Sequence, residues 1–334
     1  MLTRLITQLC VIVTLAAAFS GLRGLEGDFI RSPVVGILAH PPTKYIPYPY
    51  VLEYNVKYLE SVGIQAVPLH YDDPNLKSLL AKISGVLFTG GSLDADLRFG
   101  HPYVDAAKMI YDYAVDRYAN NDPFPIFGIC EGHQLLALLA AGTHEVILES
   151  QYTTRNVALP IKFVKKGGDM LKSLPRHVRE ILQTQNVTAN IHSNGVPPEM
   201  WKTYKQLREQ FKMTSTSEDP VNHKIFSASM ESRAGRAPMY SVEFHPEMIN
   251  YVWHPALTGA LPKTAESALA ANSLALFIGK IYRGKPHRFD DLTQLAKAFF
   301  HKESLLCPTD AVLVQGFCHY NISSHHLTTG WTLV

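Results

Sequence analysis

Between Pro33 and Ala141 short apolar runs alternate with helical ones, and that alternation constrains the fold more than any other feature of the chain. Pro33–Ala39 (PVVGILA) is apolar and short enough for a buried strand. Tyr50–Val62 follows with apolar residues at helical spacing, then Ile64–Leu69 as a second strand and Leu76–Ile83 as a short helix. Gly85–Thr89 reads as a third strand ending at Gly90-Gly91, Tyr103–Tyr118 as a helix, Phe124–Ile129 as a fourth strand and Glu131–Ala141 as a helix. Strands alternating with helices build βαβ units and a parallel sheet. The expected fold is therefore α/β, a three-layer sandwich with a mostly parallel central sheet and helices on both faces. The second half leans antiparallel: Val157–Val164, Lys212–Glu218, Lys224–Met230 and Pro238–Phe244 read as strands, several joined by turns. Met200–Gln210 and Ala265–Arg283 read as helices. One domain accounts for residues 25–334, with its core over about 30–290 and an irregular, basic and aromatic tail over 285–334.

The first 24 residues stand apart. Arg4 gives a short positive start, Leu5 to Phe19 is almost wholly apolar, and Ser20 and Gly21 are small. That is the layout of a secretory signal peptide over residues 1–24. The other readings are a membrane anchor or a buried N-terminal element. The apolar run is shorter than the roughly 20 residues that span a bilayer, and no later run is long enough. A secretory route implies a lysosome, a vacuole or the extracellular space. The sequons at Asn186 and Asn321 are candidate glycosylation sites on that route.

Composition sharpens this reading. The chain has 31 Lys and Arg against 29 Asp and Glu, a net charge of +2 that gives no global attraction to nucleic acid. Loss of the leader removes Arg4 and Arg23, leaving bases and acids equal at 29. Protonation of some of the 15 histidines in an acidic compartment would then turn the chain positive. Cys10 leaves with the leader, so Cys130, Cys307 and Cys318 remain. The last two are close enough in sequence to pair, which would leave Cys130 as a free thiol.

Cys130 sits in Gly128-Ile129-Cys130-Glu131-Gly132, between an apolar strand and an apolar helix. This is the cysteine form of a nucleophile elbow, a tight turn that lifts the side chain above the C-terminal edge of a sheet. The helix N-terminus beneath it is expected to lower the thiol pKa. A small buried cysteine beside a packing glycine is the plainer reading. A cysteine nucleophile needs a base and an orienting group. His245-Pro246-Glu247 offers both, since strand alternation would bring His245 and Glu247 to one side. Oxyanion donors would be the backbone N–H groups of Glu131 and Gly91. Gly90-Gly91 also reads as an ordinary turn.

Taken together, these residues resemble the glutamine-amidotransferase-like, flavodoxin-like α/β hydrolases with a Cys-His-Glu triad. Within them the chain is similar to the γ-glutamyl hydrolase family, which cleaves folylpoly-γ-glutamates. The matching residues run from about Pro33 to Ile281. They include Val34–Leu38, Tyr58-Leu59-Glu60-Ser61, Gly85-Val86-Leu87-Phe88 leading into Gly90-Gly91-Ser92, Thr188-Ala189-Asn190-Ile191-His192, and His245-Pro246-Glu247 before Tyr251-Val252-Trp253. The resemblance implies Cys130 as nucleophile, His245 as general base and acid, Glu247 as its orienting partner, and His192 as a second histidine near the site. It also implies Tyr50 and Ser92 as pocket residues, no cofactor or metal, and a homodimer. One departure is Gln134, where several γ-glutamyl hydrolases carry an acid. Its expected consequence lies in fine substrate specificity.

The implied substrate is strongly anionic, so a local basic pocket is expected, with Arg98 and Arg155 as candidates. No Cys/His cluster has zinc spacing, and His325-His326 reads as exposed tail. Two other functions fit the motifs less well. One is a glutaminase domain of a glutamine amidotransferase, although no synthase segment follows. The other is a secreted, non-catalytic binding or storage protein of the same fold, which would have no need of Cys130, His245 and Glu247.

Overall fold

The computed structural model describes residues 32–44, 46–91, 97–165, 167–285, 289, 304–306 and 318–322. The leader and Ser92 lie outside these residues. The first half is the alternation read from the sequence: β1 (Val34–Leu38), β2 (Tyr50–Leu52), α1 (Glu53–Glu60), β3 (Gln65–Leu69), α2 (Leu76–Leu80), β4 (Gly85–Phe88), α3 (Pro102–Ala119), β5 (Ile126–Ile129) and α4 (Glu131–Ala141). The second half holds β6 (Thr154–Leu159), β7 (Lys162–Phe163), α5 (Asp169–Ser173), α6 (Arg176–Thr184), β8 (Thr188–His192), α7 (Met200–Thr203), α8 (Lys205–Gln210), β9 (Phe211–Glu218), β10 (Ile225–Ser232), β11 (Met239–Val242), α9 (Pro246–Tyr251) and α10 (Ala265–Arg283). Two short strands of the tail, β12 (Ser304–Leu306) and β13 (His319–Asn321), complete the described elements.

The central sheet has eight strands in the order β3-β1-β4-β5-β11-β10-β9-β7. From β3 to β11 neighbours are parallel, and from β11 to β7 they are antiparallel. Alternation along the strands sends side chains into two cores. Val34 and Leu38 of β1 join residues of α2, α3 and α4 on one face, while Val35 and Ile37 join residues of α1, α6 and α10 on the other. Both faces are covered, so the parallel strands can be apolar throughout. Because β1, β4, β5 and β11 run the same way, the residues after them emerge at one sheet edge. That edge receives His40, Thr89-Gly90-Gly91, Cys130 and Glu243–His245.

Several boundaries differ from the sequence reading. The helix expected over 50–62 begins at Glu53, because Tyr50–Leu52 is drawn into a small sheet with β13 and β12. Residues 157–164 are not one strand. Pro160 interrupts them, β6 pairs with β8 in a separate two-stranded sheet, and β7 joins the central sheet. The helix expected over 200–210 breaks at Tyr204 into α7 and α8. The tail is not irregular throughout: β13 lies antiparallel on β2, with His319 opposite Leu52. Cys318 is disulfide-bonded, and Cys307 lies outside the described residues. Among the described residues no helix is long and apolar enough to cross a membrane.

Candidate active site

Cys130 is where the backbone is most constrained. It follows β5 and precedes α4 with φ 51° and ψ −108°, a left-handed setting that a side chain adopts at a cost. Its backbone N–H donates to Val242 O at 2.8 Å, and its carbonyl accepts from His133 N at 2.8 Å. The turn needs Gly132, since a Cβ there would stand 2.2 Å from Phe88 O on β4. The elbow is therefore set by the approach of neighbouring backbone. Among the described residues Cys130 is the free cysteine.

His245 and Glu247 come together by a route other than the one expected. β11 ends at Val242, so strand alternation does not reach them. Instead His245 caps α9, Pro246 occupies its first position, and Glu247 lies in its first turn. Proline is suited to that position because its missing N–H would have no helical partner there. His245 N–H donates to Ala189 O of β8 at 2.8 Å, which fixes the backbone. Its Nδ1 lies 2.7 Å from Glu247 Oε1, and Glu247 is fully buried. A carboxylate accepts, so Nδ1 donates, and Nε2 is left as the nitrogen able to take a proton.

Gly90 ties this pair to the nucleophile. A Cβ on Gly90 would lie 2.5 Å from His245 Cε1 and 3.4 Å from Cys130 Cβ. The two side chains therefore converge beside one backbone atom. Gly90→Ala is expected to push the imidazole away from Cys130 and lower kcat by about 100-fold, since small misplacement of reacting groups costs that much. Steady-state kinetics with a circular-dichroism check of folding tests it; an unchanged kcat would show that the pair does not converge there.

The electrostatics correct one expectation. Burial pushes the Cys130 thiol well above its ordinary value, and Glu243, Glu131 and Glu247 push the same way. A hydrogen bond with the Glu131 backbone works against them and is outweighed. The helix N-terminus thus does not make a resting thiolate. With the thiol pKa raised, attack calls for a base to remove its proton.

Other expected residues fall into place unevenly. Gly91 and Glu131 lie together: a Cβ on Gly91 would stand 2.7 Å from Glu131 Oε1. It would stand 2.3 Å from Cε1 of His40, a residue that the sequence reading missed. His40 is fully buried, bonds Thr89 Oγ1 through Nε2 at 2.9 Å, and has Nδ1 3.5 Å from Glu131 Oε1. Burial lowers its pKa to about 4, against a hydrogen bond to the Gly90 backbone. Its one sequence signal is its place just beyond an apolar strand. Tyr50 is buried with its ring 5.6 Å from that of His40, at the same sheet edge.

His192 is buried at the end of β8. Nδ1 donates to Asn194 O at 2.7 Å and Nε2 lies 3.2 Å from Asn190 Oδ1. Burial lowers its pKa to about 4, opposed by the Asn194 bond. With His133 held at about 3 by burial, three histidines resist the protonation expected of them in mild acid. Arg98 is ion-paired with Glu149 at 3.1 Å, and Arg155 is exposed and donates to Ser193 Oγ at 3.0 Å. Of the sequon asparagines, Asn186 is exposed beyond α6 and Asn321 is half-buried on β13. Among the described residues no group of three His, Cys, Asp or Glu could hold a metal ion.

The family model "Glutamine amidotransferase class-I" matches residues 48–258. A γ-glutamyl hydrolase of Homo sapiens is 30% identical over 312 residues, covering 88% of this chain and 93% of that protein. γ-Glutamyl hydrolase B of Dictyostelium discoideum is 28% identical over 279 residues, 81% of this chain and 78% of that protein. γ-Glutamyl hydrolase 1 of Arabidopsis thaliana is 23% identical, over 82% of this chain and 79% of that protein. With a nucleophile elbow, a histidine on a buried glutamate and these relatives, the chain belongs to the class-I glutamine amidotransferase family, in its γ-glutamyl hydrolase branch.

Proposed function

We propose that this protein hydrolyses γ-glutamyl amide bonds, with poly-γ-glutamylated folates as substrates, through a cysteine acyl-enzyme. The observation that carries this is the convergence of Cys130 and His245 beside Gly90, with Glu247 held 2.7 Å behind the histidine. In the first step Cys130 Sγ attacks the γ-carbonyl carbon as His245 Nε2 takes the thiol proton. The Glu131 and Gly91 N–H groups receive the oxyanion. His245 then delivers that proton to the leaving α-amine of the next glutamate, the amide bond breaks and a thioester remains. Water attacks the thioester, His245 takes its proton, and the thiolate leaves and is reprotonated. Glu247 keeps Nδ1 protonated and offsets the imidazolium in both steps. Because burial raises the thiol pKa, His245 is needed to take the thiol proton for attack.

The family resemblance assigns Tyr50 and Ser92 to the pocket for the anionic substrate; Tyr50 is buried beside His40, and Ser92 lies outside the described residues. We place the protein in the secretory pathway after loss of residues 1–24, in a lysosome, a vacuole or the extracellular space, with a homodimer as its assembly. Incubation with a folate pentaglutamate, with glutamine as a competing substrate, tests the reading. Shortened folates and released glutamate or γ-glutamyl peptides are expected, with no ammonia. Ammonia from glutamine with the folate intact would assign a glutaminase instead, and neither product would leave a binding protein.

A further inference from the structure

One buried acid is not used by the mechanism above. Glu243 is fully buried two residues before His245, and its N–H donates to Ala228 O at 3.0 Å. Its carboxyl meets three residues from two elements. Gln134, one turn into α4, donates Nε2 to Glu243 Oε1 at 2.6 Å. His192, at the end of β8, has Nδ1 3.6 Å from the same oxygen. His133 on α4 has Nε2 3.8 Å from Glu243 Oε2, while its Nδ1 bonds Ser241 Oγ at 2.9 Å.

A carboxyl in such a place is costly unless a donor meets it. Gln134 supplies that donor, and the result is a strut with a definite position. One end is bonded to the nucleophile's turn, since Gln134 N–H donates to Cys130 O at 3.1 Å. The other end lies in the backbone between Val242, which accepts the Cys130 N–H, and His245. The bond therefore spans the gap between the segment carrying the nucleophile and the segment carrying the base. Gln134 is buried and faces this acid, so it forms a link across the site.

We propose that Glu243 and Gln134 are positioning residues for the reaction, a carboxyl–amide pair that holds Cys130 and His245 in register. This rests on the assignment of Cys130 and His245 as the catalytic pair. What the geometry requires is one carboxyl and one amide across the gap, since Glu243 Oε1 accepts an amide N–H that a second carboxyl would lack.

The test is reciprocal exchange in the full chain, read by kcat, KM and the rate at which iodoacetamide alkylates Cys130. Gln134→Glu is expected to lower kcat by about 100-fold with KM within about threefold, as misplacement of reacting groups does. Glu243→Gln keeps an amide–amide bond and should lose less than about tenfold. The double variant Gln134→Glu/Glu243→Gln restores the bond with its direction reversed, and should return to within about fivefold of the parent kcat. A double variant no faster than Gln134→Glu, or a Gln134→Glu enzyme with parental kcat, overturns the proposal. If Gln134→Glu fails to melt cooperatively, Gln134→Met removes the donor without adding charge. It should then lower kcat and alkylation together by about tenfold at unchanged KM, and parental values for both overturn the proposal equally. Cys130→Ala is the separate control: activity in that variant removes the catalytic assignment itself, whereas an inactive Cys130→Ala with no rescue by exchange removes only the strut.

Discussion

Cys130→Ala should abolish hydrolysis of γ-glutamyl bonds, lowering kcat by about 10⁴-fold or more while the protein still folds. The size follows from the mechanism. Without Sγ no acyl-enzyme forms, and the remaining groups can only polarise the carbonyl for direct attack by water. The same position makes a second, independent measurement possible. A residue with a side chain at φ 51° carries backbone strain of roughly 1–3 kcal/mol, which glycine does not. Cys130→Gly should therefore be inactive like Cys130→Ala but more stable than it by about 1 kcal/mol, after glycine's entropy is set against the strain. Chemical denaturation of the two variants gives that difference. Hydrolysis at the parental rate in either variant would remove the nucleophile, and a glycine variant less stable than the alanine one would remove the strain.

The nucleophile's half of the site was legible because its causes are local. An apolar run, a Gly-x-Cys-x-Gly turn and an apolar helix specify a strand, an elbow and α4 without long-range information, and Glu131–Ala141 is helical as read. The same holds for α10, whose span matches the expected Ala265–Arg283. The base was legible as a residue but not as a geometry. His245 and Glu247 meet through a helix cap, because β11 ends at Val242 and Pro246 opens α9. His40 was invisible for a related reason: its role depends on the approach of Thr89, Gly91 and Glu131, which lie on other elements. The thiol's electrostatics failed by the same logic. A helix N-terminus is a local feature, but burial outweighs it, with Glu243 and Glu247 from distant segments and the adjacent Glu131 pushing the same way. Likewise β6 and β7 were read as one strand because partner choice is invisible in a single apolar run.

His245→Ala should be nearly as damaging as loss of the nucleophile, lowering kcat by about 10⁴-fold with KM within about threefold. Two proton transfers depend on this residue, one from the thiol and one to the leaving amine. The first calls for a base, because burial and the surrounding acidic residues raise the thiol pKa. The variant should therefore also slow alkylation of Cys130 by iodoacetamide, a readout that involves no γ-glutamyl substrate. Added imidazole should restore part of both rates by entering the space the side chain leaves. Glu247→Gln separates orientation from charge. Its amide oxygen can still accept from Nδ1 at the 2.7 Å position, so the tautomer survives, but the negative charge opposite the developing imidazolium is gone. A fall in kcat of about 100-fold is expected, between the parent and His245→Ala. If Glu247→Gln equals His245→Ala, the glutamate does more than orient and offset charge. If His245→Ala keeps parental alkylation and loses less than about tenfold in kcat, another group removes the thiol proton, and the base must be sought among the residues at the same sheet edge.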